Sequence, residues 1–198
     1  VRIHHNTSVG NGQAMGIQED ARPFCPGDDD DCPTDAERAL GITWDTADIT
    51  LVNNILAGGT STAPLVFTSD ANPAESGRRV GAEGMIPAGQ MHHNGYARTA
   101  ADTPASLVQW CRPVGSAVHY KSLADFQAAT NRDANSLYQE TSYLVNSSSG
   151  DYRLIPGIPA ESAGAALPSD VAAAIGAPAG PVRLGALTWP TEPASTQL

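Results

Sequence analysis

Ile49-Thr50-Leu51-Val52-Asn53-Asn54 alternates its outward and inward positions and closes on an asparagine. Two other stretches of the 198-residue chain share that register: Val1-Arg2-Ile3-His4-His5-Asn6 and Gly89-Gln90-Met91-His92-His93-Asn94. In all three an apolar residue (Leu51, Ile3, Met91) stands three positions before the closing asparagine. In two of them a second (Ile49, Val1) stands two earlier. Period two is the spacing of a strand. A strand that recurs in step, and ends each time on one polar side chain, is what a stacked solenoid of parallel strands requires. Asn6, Asn54 and Asn94 would then sit at the same bend of successive layers. Their amides, each both donor and acceptor, would pass hydrogen bonds along the stack, and asparagine tolerates the left-handed backbone of a sharp bend. Three unrelated loop asparagines are the alternative.

The intervals between these stretches are longer than one coil needs, so they hold insertions or less recognisable strands. Residues 20–40 read as an inserted loop, and Pro64-Leu65-Val66-Phe67-Thr68 as a further strand. Strands are also expected near Met15-Gly16-Ile17 and, with Ile42, Trp44, Ile49 and Leu51 inward, between 41 and 58, and a further coil from about Arg79 to Tyr96. From there the pattern changes to helical signals. Ser122 can cap a helix running to Thr130, with Asp125 in its first turn and Leu123 and Phe126 facing the core. Ser169 to Ile175 reads as another helical turn ended by Gly176. The expected organisation is strand layers over 1–118, a closing segment with short helices over 119–190, and a flexible tail at 191–198.

Length allows one domain with a proper core. Glycine and proline are abundant, at 19 and 15, and aromatics make up 6% of residues, which suits short strands and bends. No apolar run reaches membrane-spanning length. Eleven Lys and Arg against 21 Asp and Glu leave a formal charge of −10. That balance argues against a nucleic-acid partner, since a phosphate backbone needs a basic face. The chain begins at Val1, inside a reading of strand, so upstream coils of the same protein are the expected neighbours.

Cys25 and Cys32 enclose Pro26-Gly27-Asp28-Asp29-Asp30-Asp31. A disulfide there would close a small loop, contribute roughly 2–3 kcal/mol and place the chain in an oxidising compartment. The run Asp28, Asp29, Asp30, Asp31 is a candidate calcium site, hard cations favouring several carboxylate oxygens; a solvated loop tip is the alternative. Cys111, beside Trp110, reads as a buried thiol. Asn6-Thr7-Ser8 and Asn146-Ser147-Ser148 fit the glycosylation pattern.

With its Asn-terminated strands and its tail, the chain resembles the C-terminal portion of bacterial right-handed parallel β-helix proteins of the pectate-lyase-like group. The tail carries the more specific likeness: the helix at Ser122 to Thr130, Asp133-Ala134-Asn135-Ser136-Leu137, Asp151-Tyr152-Arg153-Leu154-Ile155-Pro156-Gly157 and Leu184-Gly185-Ala186. Ile158-Pro159-Ala160-Glu161-Ser162-Ala163 departs from the family's usual phrase. The resemblance implies an all-β fold, a right-handed parallel β-helix with a short helix and an irregular tail. It further implies a secreted, extracellular, carbohydrate-active protein of lyase or hydrolase type acting on a polysaccharide, part of whose active region lies upstream. A non-catalytic glycan-binding, adhesion or scaffold module is the alternative.

If Val1 and Ile3 point inward, Arg2 and His4 point outward, and the register stacks Arg2 with Thr50 and Gln90, and His4 with Val52 and His92. Neighbouring strands lie about 4.8 Å apart, which sets His4 and His92 about 10 Å apart, too far to share one metal. Asp45, Asp48, His4 and His92 are the candidate catalytic residues, with Arg2, Gln90 and Trp44 as substrate contacts. A glycosidase needs two carboxylates, for which Asp70 and Glu75 are further candidates; a lyase needs a base and a cation beside the uronate. A solvated sheet face is the alternative.

Overall fold

The computed structural model describes residues 1–20, 34–41, 45–58, 63–72, 79–98, 100, 102–177 and 180–186. Nine short strands lie in three sets: β1 (Arg2–His4), β2 (Thr7–Asn11) and β3 (Met15–Glu19); β4 (Thr50–Val52), β5 (Ile55–Gly58) and β6 (Val66–Asp70); β7 (Met91–His92), β8 (Gly95–Arg98) and β9 (Val108–Trp110). Between them stand the helices α1 (Asp35–Ala39) and α2 (Gly81–Met85). After β9 come β10 (Val118–Tyr120), α3 (Leu123–Thr130), β11 (Leu137–Gln139), β12 (Leu144–Asn146), β13 (Asp151–Leu154) and α4 (Ser169–Ile175).

The sheets run β1-β4-β7, β10-β9-β6-β3, β11-β8-β5-β2 and β12-β13. The quoted stretches pair in the expected register: Arg2 opposite Thr50, Ile3 opposite Leu51, His4 opposite Val52, and then Leu51 opposite Met91 and Val52 opposite His92. Residues from the first three sheets fill one core, in which Leu51, Leu56, Leu65, Met91, Tyr96 and Trp110 are fully buried. Burial of a side chain of this size stabilises by roughly 1.5–3 kcal/mol.

The asparagines form a ladder. The main-chain N–H and Nδ2 of Asn6 both donate to Asn54 Oδ1 at 3.0 Å. The same two groups of Asn54 donate to Asn94 Oδ1, again at 3.0 Å. Past Asn94 the chain changes partner type: its N–H donates to Ser136 Oγ (2.7 Å) and its Nδ2 to Asp133 Oδ1 (3.0 Å). Asp133 is fully buried, and burial pushes its carboxyl up against the opposing hydrogen bonds from Ser136, Tyr96 and Asn94.

The all-β right-handed parallel β-helix expected above is corrected. The architecture is mixed α/β, with four sheets, mostly parallel, and four α-helices among the described residues, and the sheets do not form a solenoid. Parallel pairing stops after three or four strands, β10 joins β9 antiparallel, and β12 and β13 make a separate antiparallel pair. The C-terminal residues also fold back over the outer sheet faces and build a second core from Ile55, Ala57, Ala97, Tyr143, Leu154 and Leu184. Strands β5 and β8 are consequently buried at every position, as in sheets covered on both sides.

Leu184-Gly185-Ala186 is the clasp of this second layer. Leu184 is fully buried, Gly185 N–H donates to Asn53 O (2.8 Å) and Ala186 N–H donates to Thr7 Oγ1 (2.9 Å). Gly185 has φ +81°, and a Cβ there would lie 2.6 Å from Thr7 Oγ1 and 2.8 Å from Ile55 Cδ1. Only glycine combines that backbone with that approach.

Helix α3 follows its local signals. Ser122 Oγ accepts the Asp125 N–H (3.1 Å), and Asn131 closes the helix in the left-handed region. Leu123 and Phe126 face inward, the Phe126 ring meeting Trp110 and Tyr120 at 5.1 and 5.3 Å between centroids. Helix α4 ends at Gly176 as its sequence implies. No helix among the described residues is long and apolar enough to cross a membrane.

Among the described residues there is no disulfide, and Cys111 is a free, buried thiol whose ionisation burial opposes. Cys25, Cys32 and the run Asp28, Asp29, Asp30, Asp31 lie at 21–33, outside the described residues, as do Trp44, Ile42 and Glu75.

Candidate functional site

The first candidate is the outer face of β1-β4-β7, where register stacks His4 and His92 on either side of Val52. This face is not open. Asn53 exchanges two hydrogen bonds with Ala165, Nδ2 donating to its carbonyl (2.9 Å) and Oδ1 accepting its N–H (2.8 Å). Arg2 Nη1 meets Asp170 Oδ2 of α4 at 2.8 Å. Beneath this cover both ring nitrogens of His4 are buried with no hydrogen-bond partner.

Burial holds the His4 imidazole below its ordinary value, the Arg2 charge adds to that, and Asp170 works against it. His92 is lowered by burial, then by His93 and His4. His5 is lowered by burial and the Arg183 charge, and His93 by burial. These rings are therefore neutral near pH 7. The Nδ1 atoms of His92 and His93 approach to 2.8 Å, so one donates and the other accepts. The chemistry of the face is that of neutral imidazoles, with the His4 nitrogens covered.

The folded state thus resists protonation that the unfolded chain accepts below pH 6.5. The histidines contribute stability above that value, and it is lost as pH falls through the folded values. The melting temperature is expected to be lower at about pH 5.5 than at about pH 7.5, and the gap to narrow in His4→Gln. Asp133, with its carboxyl pushed up, contributes in the opposite sense, favouring the folded state at low pH. An unchanged gap in His4→Gln would remove His4 from the account.

The expected catalytic acids do not join this face. Asp48 is exposed with φ +53°, and its carbonyl accepts the Val1 ammonium at 3.0 Å. Asp45 is half-buried in the segment leading to β4. The carboxylate that acts on His4 is Asp170 instead. Gln90 lies exposed with its Oε1 accepting from the Thr50 hydroxyl (2.7 Å), on the far side of Thr50 from Arg2 in the register. Asp70 is buried as a structural acceptor of the Asn72 and Gly81 N–H groups, both at 3.0 Å. It pairs in register with Glu19, which is also buried and accepts the Thr46 N–H. Sequence reasoning missed Glu19; its place opposite Asp70 follows from the Met15 to Val66 register. Among the described residues no group of three or more His, Cys, Asp or Glu is placed to hold a metal ion.

The accessible site lies elsewhere. At the ends of β2, β5 and β8 the residues Val9, Gly10, Ala57, Gly58 and Ala97 line a hollow of about 310 Å³, with Ala57 opposite Ala97 in the register. Its rim is Glu140, Thr141 and Ser142 from the loop after β11, with Ser147. A second hollow of about 390 Å³ adjoins it through Val9 and is lined by Thr7, Ser8, Asn11, Tyr152 and Ala186. Together they make a trough with an apolar floor, hydroxyl and amide walls and one exposed aromatic ring, Tyr152. Arg98 borders it but is committed inward, donating to Tyr138 Oη, Pro104 O and Lys121 O.

Glu140 is the one acidic side chain lining the trough among the described residues. The arrangement can take up an uncharged, hydroxyl-rich ligand: small residues and a ring for its apolar face, polar rims for its hydroxyls. None of the trough residues had been singled out from sequence as site residues. Tyr152 and Ala186 enter the sequence reading through the tail, Thr7, Ser8 and Ser147 through the glycosylation pattern, and the small residues of β2, β5 and β8 become visible once the strand register is known. No family model, curated protein or solved structure matches this chain.

Proposed function

We propose that this chain is a non-catalytic carbohydrate-binding module acting outside the cell, and that it takes a stretch of polysaccharide in the trough along β2, β5 and β8. The observation that carries this reading is the pairing of two adjoining hollows with an apolar floor, hydroxyl-bearing walls and Tyr152 at one end. A sugar ring offers one face of C–H groups to an aromatic ring and its edge hydroxyls to side chains such as Glu140, Thr141 and Ser142. Hydrolysis of a glycosidic bond by the usual route needs two carboxylates across the bond, and among the described residues a single one lines the trough. On the other face both ring nitrogens of His4 are buried, which removes that ring from a polymer's reach.

The test is binding of the protein to a panel of soluble polysaccharides by affinity electrophoresis and calorimetry. Tyr152→Ala is expected to weaken the best ligand about tenfold, the stacking contribution of one ring. Tyr152 is exposed, so folding is expected to be unchanged. New reducing ends or unsaturated products formed by the wild-type chain would overturn the non-catalytic reading in favour of a hydrolase or lyase.

A further inference from the structure

The asparagine ladder is sealed at one end and interrupted at the other. At the sealed end Ser136 occupies the ladder's next position, since Leu137 N–H donates to Asn94 O just as Gly95 does to Asn54 O and Ile55 to Asn6 O. Ser136 Oγ and Asp133 Oδ1 then take up the Asn94 donors. At the other end β1, β2 and β3 are all edge strands of their sheets. Ile3, Ala14 and Met15, which pack against the main core, are left half-buried there.

Inside the stack each asparagine reaches back one layer: Asn94 Nδ2 donates to Leu51 O (3.1 Å) and Asn54 Nδ2 to Ile3 O (2.9 Å). Among the described residues Asn6 has no such layer, and its Nδ2 turns to His4 O of its own strand (2.9 Å). The interior equivalent of that carbonyl, Val52 O, accepts His5 N–H from the preceding layer at 3.0 Å. The interior equivalent of Arg2 N–H, that of Thr50, donates to Val1 O at 2.8 Å. Asn6 Oδ1, whose counterparts in Asn54 and Asn94 each accept two donors from the layer before, receives none among the described residues.

We propose that the β1 edge is a docking site for one further parallel strand, of the form apolar-x-x-Asn, supplied by a separate partner polypeptide. Its asparagine would give N–H and Nδ2 to Asn6 Oδ1, its apolar residue would cover Ile3, and Asn6 Nδ2 would swing from His4 O to the carbonyl of that apolar residue. Parallel orientation is the one that continues the ladder, as it does in both pairs of the β1-β4-β7 sheet. None of the residues outside the described set is an asparagine, so no such segment of this chain can supply the strand. A second copy cannot extend the ladder either: its far end is closed by Ser136 and Asp133, and two β1 edges would bring two open acceptors together. Edge strands left unpaired are templates for strand addition, with main-chain bonds giving affinity and alternate side chains giving selectivity.

The probe is a synthetic peptide of residues 47–58, Ala47-Asp48-Ile49-Thr50-Leu51-Val52-Asn53-Asn54-Ile55-Leu56-Ala57-Gly58, titrated into the full isotope-labelled chain. Saturable shifts are expected at the Asn6 side-chain amide and the Ile3 methyl signals, with slowed hydrogen exchange over residues 1–8. A peptide carrying Asn54→Leu is expected to bind at least tenfold more weakly, and the protein variant Asn6→Ala to lose the same preference. Equal binding of the two peptides, no saturable shift up to millimolar peptide, or concentration-dependent protection of β1 in the protein alone would each overturn the proposal, the last by assigning the edge to a second copy.

Discussion

Asn94→Leu is expected to remove about 3–5 kcal/mol of folding stability, because it strands several buried polar groups at once. Leucine conserves much of the volume but none of the four ladder bonds made by the amide. The Asn54 N–H and Nδ2 lose their acceptor, and Leu51 O and Asp133 Oδ1 lose their donor. Asp133 matters most, since a fully buried carboxylate that loses a donor is an incompletely compensated charge. For a chain of this length that loss lowers the melting temperature by on the order of 10 °C. Asn6→Leu, at the exposed end of the same ladder, is expected to cost about 1 kcal/mol or less, because water reaches the groups it frees. Urea unfolding of the two variants separates them. Equal losses would mean that water enters the ladder at Asn94 and that its burial contributes little.

Phe126→Ala is expected to cost about 3–5 kcal/mol, the range for deleting a large buried ring whose surroundings cannot close over the space. Phe126 is completely buried on α3, its ring edge-on to Trp110 and Tyr120. The neighbours are held from other directions. Trp110 Nε1 donates to Glu83 (2.9 Å), and Arg132 lies over its ring at 5.3 Å while its Nε donates to Ile86 O. A side chain pinned in this way does not slide into a vacancy. Near-ultraviolet circular dichroism and tryptophan emission are expected to report loosening at Trp110 before global unfolding, since α3 covers this end of the core. A loss below about 2 kcal/mol with unchanged spectra would show that the core collapses into the space instead.

Much of the strand arrangement was legible because alternation is a local property with a long-range consequence. Ile3, Leu51 and Met91 had to share a face once their strands were placed in step, and the closing asparagines then fell into one column. Helix α3 was legible for a similar reason: Ser122, Asp125 and Asn131 satisfy its ends from within a few residues. The all-β expectation failed where the same alternation was carried past its support. In β5 the run Ile55-Leu56-Ala57-Gly58 has no polar alternate, which marks a strand covered on both sides. The cover itself, from Tyr143, Leu154 and Leu184, carries no periodic signal and was read as an irregular tail.

The candidate site was less legible than the fold. His4 and His92 do share a face, but Asp170 approaches from 168 residues beyond Arg2 and turns an apparent cleft into an enclosed layer. The trough arises from small residues on three strands together with a loop and a hairpin, and no one segment contains enough of it to stand out.

What the sequence determined by itself was the pairing register, the asparagine column and the ends of α3 and α4, since each rests on spacing or capping within a few residues. Only the tertiary structure decided which outer faces are covered, which acid meets Arg2 and where a ligand-sized hollow remains. Those outcomes depend on contacts between residues more than a hundred positions apart, where apolar burial is non-directional and leaves no local pattern to read.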